Sequence, residues 1–184
     1  VALLNLTIGS FSSGVVAATS SYESIATSSP SGVSTITFSS IPATYKSLQI
    51  RFNIISATAG NVISMQFNGD TAANYRYHNL YGFNSTAVAS APASAQANMR
   101  IFGVGYGTVT TYPNVGIIDI IDYASTTKNK TVKTMSGANN NVAAESEIDL
   151  ESGLWMDVSA VTSVTFFSGA NFNTGSSIAL YGIK

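Results

Sequence analysis

Apolar residues in this chain recur at every second position, in short runs interrupted by turn residues, and no stretch sustains the 3.6-residue period of a helix. The stretch 46–57 shows the pattern best: Leu48, Ile50, Phe52 and Ile54 fall on one face, with Gln49, Arg51 and Asn53 on the other. A two-residue period rich in β-branched and aromatic side chains specifies a half-buried antiparallel strand. Comparable runs occupy 22–27, 32–39, 62–67, 100–104, 114–123, 131–136, 143–155, 161–167 and 177–183. Between them stand turn signals such as Ser29-Pro30-Ser31-Gly32, Asn68-Gly69-Asp70 and Gly137–Asn141. The segment 114–123 is apolar on both faces and should be central, whereas the Ser- and Ala-rich 85–98 should be a long loop. About ten strands without a helix predict an all-β fold, an antiparallel β-sandwich of jelly-roll-like type.

With 184 residues the chain forms one domain of about 70% buried surface. The first residues, VALLNLTIGSFSSGVVAATS, carry no charge and no regular period, so 1–21 is expected to be an extended attachment arm and 22–184 the sandwich. An uncharged apolar arm left free invites aggregation, so it should dock on a neighbouring subunit or on its own domain, with Val1, Leu3, Leu4, Leu6, Ile8 and Phe11 as the candidate contacts.

Charged residues make up 9% of the chain, against about 25% in an average domain. No run approaches the roughly 20 apolar residues of a membrane-spanning helix, so no membrane partner is expected. A net charge of −1 and eight scattered basic residues supply no footprint for nucleic acid. Only Lys128, Lys130 and Lys133 lie close together, on an expected solvated loop and strand face. The absence of cysteine removes disulfides, thiolate chemistry and Cys-ligated zinc together.

Motifs for catalysis are missing in turn. The lone His78 sits among Tyr75, Tyr77, Tyr81 and Phe83 and suits a hydrogen-bonded structural role better than a general base. Asp119 and Asp122, three apart on a strand, point to opposite faces and cannot make a glycosidase pair. Asp122 is better placed at a turn, bonding backbone. Gly103-Val104-Gly105-Tyr106-Gly107 is no phosphate loop, because no helix follows it. No catalytic, cofactor-binding or metal-binding residue is therefore expected, and no enzymatic activity.

One charged pattern stands out. Glu145, Glu147, Asp149 and Glu151 alternate with Ser146, Ile148 and Leu150, which on a strand sets four carboxylates along one face about 7 Å apart. Three readings are open: a solvated outer face that discourages edge association, an electrostatic strip matched to a partner or to Lys128, Lys130 and Lys133, and a weak Ca²⁺ site.

Several segments resemble a family of tailed-bacteriophage virion proteins frequent in phages of cyanobacteria and marine bacteria. They include ITFSSIPATYKSLQIR from Ile36, FNGD from Phe67, YHNLYG from Tyr77, IDIIDY from Ile118, SGLW from Ser152 and the ending ALYGIK from Ala179. The resemblance covers roughly 22–184 and implies a virion structural protein with a β-sandwich fold, a homotrimer. A capsid decoration (cement) protein bound to the major capsid protein is the expected role, since the chain has no coiled-coil or β-helical shaft. The alternative is a tail-fibre or receptor-binding module that would stack host glycans on Tyr75, Tyr77, Tyr81, Phe83 and Tyr106. A hydrolase is the third and least supported reading.

Overall fold

The alternation is realised as twelve strands in the computed structural model, which describes residues 20–58, 61–83, 86–92, 95–104, 112–139 and 146–184. In chain order they are β1 (Tyr22–Ser28), β2 (Thr35–Phe38), β3 (Ser47–Ile54), β4 (Asn61–Phe67), β5 (Tyr75–Phe83), β6 (Thr86–Pro92), β7 (Met99–Val104), β8 (Asn114–Ile121), β9 (Lys130–Asn139), β10 (Ser146–Trp155), β11 (Val164–Ser168) and β12 (Ser177–Ile183). Every pairing between them is antiparallel. Among the described residues there is no helix.

The strands form an eight-stranded sheet, β1-β12-β3-β8-β9-β10-β5-β6, and a four-stranded sheet, β2-β11-β4-β7. With the hairpins β5–β6 and β9–β10 set aside, the rest are two four-stranded sheets, β1-β12-β3-β8 and β2-β11-β4-β7. That interleaving of two Greek keys is the jelly-roll path. The two extra hairpins lie side by side, β10 against β5, and double the width of one sheet. The large sheet therefore overhangs its partner.

Period-two alternation builds the core between the layers. Leu48, Ile50, Phe52 and Ile54 of β3 face inward with Ile118 and Ile120 of β8 and Ile178 and Leu180 of β12. They meet Ile63, Met65 and Phe67 of β4, Val164 and Phe166 of β11, and Ile101 and Phe102 of β7. Phe52 and Phe102 stack across the layers with ring centres 4.3 Å apart and planes 8° from parallel. At the end of β10, Trp155 is buried against Phe67 and Tyr75, and its Nε1 donates to Asp70 Oδ2 at 2.7 Å. Asp70 belongs to the Asn68-Gly69 turn, where positive φ at both central residues (53° and 68°) and a 2.9 Å bond from Asp70 N to Phe67 O define a type I′ turn.

β8 lies fourth of eight in its sheet, as its two apolar faces required. Three segments depart from expectation. Tyr75–Phe83, not among the expected strands, forms β5, held by its pairing with β10. Within the Ser/Ala-rich 85–98, Thr86–Pro92 forms the edge strand β6, because pairing with β5 supplies its backbone partners despite weak strand propensity. β9 likewise continues to Asn139, where a turn from Gly137 was expected, because Gly137, Ala138 and Asn139 pair with β10.

Candidate interaction surface

The overhanging half of the large sheet is turned inside out. Along β10 the carboxylates point inward: Glu147, Asp149 and Glu151 are 7%, 0% and 4% exposed. Their apolar neighbours Ile148 and Leu150 point outward and are 55% and 41% exposed. The solvated-face reading of this strip is therefore corrected. Alternation decides which residues share a face, but here the face with the acids turns toward β7. Glu145 lies outside the described residues.

The cation that answers the strip comes from the opposite sheet. Arg100 of β7 places Nε 2.7 Å from Glu151 Oε1 and an Nη 3.5 Å from Asp149 Oδ1, with its own side chain largely buried. The lysine trio does not do this. Lys128 pairs with Asp122 at 3.3 Å, and Lys133 stands on the outward face of β9, away from the acids. Lys130, expected to be solvated, is wholly buried. Its ammonium donates to the carbonyls of Lys128 and Asp157 and lies 5.7 Å from the centre of the Trp155 ring, and burial holds its pKa below the usual value.

One guanidinium cannot neutralise three buried carboxylates, so protons must. Burial, followed by the charge of Asp149 and a hydrogen bond with it, pushes Glu147 up to about 8. Burial outweighs the Arg100 charge at Glu151 and pushes it to about 7. Both glutamates therefore keep their protons to higher pH than an exposed carboxyl does. Among the described residues no group of three or more His, Cys, Asp or Glu side chains is arranged to hold a metal ion.

The outer side of the same strands is apolar. In register across β8, β9, β10 and β5 lies the row Ile117, Met135, Leu150, Leu80. Beside it lies a second row, Val115, Gly137, Ile148, Gly82. The six large side chains are 36–55% exposed. Gly137 leaves a notch in the second row, and a trough of about 590 Å³ lies among Val115, Ile117, Met135 and Ile148, with Arg51 among its lining residues. The following row is polar: Asp119, Lys133, Ser152 and His78. His78, Leu80, Lys133 and Leu150 line a smaller hollow of about 300 Å³ beside it.

The remaining outward face, over β1, β12 and β3, is built differently. Arg51 lies between the rings of Tyr22 and Tyr181, at 4.8 and 5.3 Å from their centres. Gln49 Nε2 donates to Asp119 Oδ1 at 2.9 Å, which answers the carboxylate that β8 carries among isoleucines. Asp122 sits at a turn with φ of 57°, as expected. Its carboxylate takes the Lys128 ammonium, while its carbonyl accepts from Ser125 N.

Comparison with known proteins returns no matching family model, no matching curated protein and no matching solved structure. The surface must be interpreted from its own chemistry. Of the aromatic residues expected to stack glycans, Tyr75 is fully buried, with its hydroxyl accepting from Phe67 N at 3.0 Å, and Tyr77 and Tyr81 are half-buried. Phe83 and Tyr106 are not among the described side chains. The arm contacts Val1, Leu3, Leu4, Leu6, Ile8 and Phe11 also lie outside the described residues. Sequence reasoning missed the apolar double row, although the signal was present. Ile117 and Ile121 flank Asp119, and Ile148 and Leu150 alternate with acids; each of these strands carries apolar groups on a face that a monomer would leave in water.

Proposed function

We propose that this chain is a non-enzymatic assembly protein of a tailed-phage virion that decorates the capsid surface. The observation that supports this reading is the outward apolar double row on β8, β9, β10 and β5. A contiguous patch of this kind, bordered by polar residues, is characteristic of a surface that another macromolecule covers. The jelly-roll path serves virus shells and lectins alike and does not choose between them. The inward acids add to the reading, because a sheet that spends its polar groups internally and its apolar groups externally is built to be covered on its outer side.

In this role the sandwich and the uncharged segment 1–21 both contribute contacts, the segment to the major capsid protein and the sandwich to neighbouring copies. The experiment is reconstitution. Purified protein is mixed with undecorated capsids and the particles are imaged, alongside a variant lacking residues 1–20. The full chain should appear as regular surface density, and the shortened chain should remain folded yet leave capsids bare. Capsids bare of the full chain, or equally decorated by the shortened one, would refute the proposed attachment.

A further inference from the structure

We infer that the outer face of β8, β9, β10 and β5 is the contact surface for a second copy of this chain, packed face to face about a two-fold axis that runs across the strands. The inference rests on the assembly reading above and names the partner of that surface.

Three features select a second copy. The first is self-complementarity, which a two-fold contact requires because the same patch serves both sides. On β9 the outward neighbours Met135 and Gly137 place a long side chain beside an empty position, and on β5 Leu80 and Gly82 do the same. An axis lying between the two rows sets each Met135 over the partner's Gly137 and each Leu80 over the partner's Gly82. Val115 then meets the partner's Ile117, and Ile148 meets the partner's Leu150, apolar against apolar. The trough of about 590 Å³ beside Gly137 is room for such a side chain.

The second feature is size. Four strands about 4.8 Å apart carrying two apolar rows about 7 Å apart span roughly 270 Å² in projection, and the polar row on each side brings the face to the order of 500 Å². Rugged side chains exceed their projection, so the face approaches the roughly 800 Å² per partner of a stable interface.

The third is the charge layout. No charged residue lies within the two rows. Asp119, Lys133 and His78 form a polar border along one side, and Ser146 pairs with Asn139 on the other. An apolar centre with a polar rim is the anatomy of a specific interface. The homotrimer implied by family resemblance would instead use a head-to-tail contact between unlike patches.

The test is the mass of the full chain by sedimentation equilibrium at micromolar concentration, for wild type, Met135→Glu, Gly137→Val and Thr35→Glu. Met135 faces outward, so Met135→Glu should leave the circular dichroism and melting profile of the fold intact, while Gly137→Val, whose Cβ meets the Glu147 carbonyl oxygen at 3.3 Å, should keep the circular dichroism of the fold with a lower melting temperature. Thr35 lies on the exposed face of β2 in the small sheet and is the control. Wild type and Thr35→Glu should reach twice the chain mass. Met135→Glu and Gly137→Val should each raise the dissociation constant by about 30-fold or more. A wild type that stays a single chain, a trimer, or a pair unaffected by both outward substitutions would overturn the inference. Single chains that still decorate capsids would refute pairing and leave the virion role standing. Pairs that ignore capsids would do the reverse.

Discussion

At the scale of single residues, the buried carboxylates of β10 make the sharpest predictions. Removing one partner of a buried ion pair typically costs about 3–5 kcal/mol, since the remaining charge keeps its desolvation cost without its attraction. Arg100→Met should lower unfolding free energy by about that amount near neutral pH, measured by urea denaturation, with part of the loss recovered in mild acid as Glu147 and Glu151 protonate. The wild type should itself respond to pH. Glu147 and Glu151 bind protons more tightly folded, at about 8 and about 7, than at their ordinary value of 4.5. The folded state then holds more protons than the unfolded one across that window, so stability is greatest near the low end and falls as pH rises. Between about pH 5 and about pH 8 the decline should amount to a few kcal/mol. Glu147→Gln, which keeps the neutral shape, should flatten the decline and be the more stable protein at about pH 8; an unchanged pH profile would show that Glu147 does not hold the proton.

At the scale of strands, glycines mark where neighbouring elements approach too closely for a side chain. A Cβ on Gly116 of β8 would stand 2.4 Å from the Phe52 ring, 2.6 Å from the Met135 carbonyl oxygen and 2.8 Å from Ser136 Cβ. Backbone cannot move aside cheaply, so Gly116→Ala should cost about 1–3 kcal/mol by overpacking. Gly153→Ala on β10 should cost less, because the atoms it meets belong to the Met99 side chain, which can adopt another rotamer. Thermal melting of the two variants side by side checks the order. Most of the sandwich was legible in the sequence for the same reason these costs are local. Alternation along β3, β8 and β12 depends on residues two apart. What could not be read was sidedness. The run 146–151 shows that the acids share a face, but Arg100, which draws that face inward, lies 49 residues away in sequence from Asp149 and in the other sheet. β6 was hidden similarly, since its ladder partner β5 defines it more than its own small residues do.

At the scale of the whole molecule, one sheet has two characters. Over β1, β12 and β3 it is an ordinary sandwich half, apolar within and polar without, finished by Arg51 between Tyr22 and Tyr181. Beyond β8 the order reverses, and β7, the edge of the small sheet, covers a polar layer with its single guanidinium. A protein that stayed alone would gain by exchanging the two faces, since outward apolar groups forgo burial worth up to about 1.5–3 kcal/mol each while the inward acids need protons and Arg100 to be tolerated. Covering the outer face removes the first of these costs. The absence of cysteine from the chain allows this to be measured at a single introduced thiol. Ile148→Cys should react with a maleimide readily in dilute solution and become protected as the chain is concentrated or assembled on a particle, while Thr35→Cys on the small sheet stays reactive throughout. A thiol at position 148 that is shielded in the dilute single chain, or that remains fully reactive in the assembled form, would contradict an outward face built to be covered.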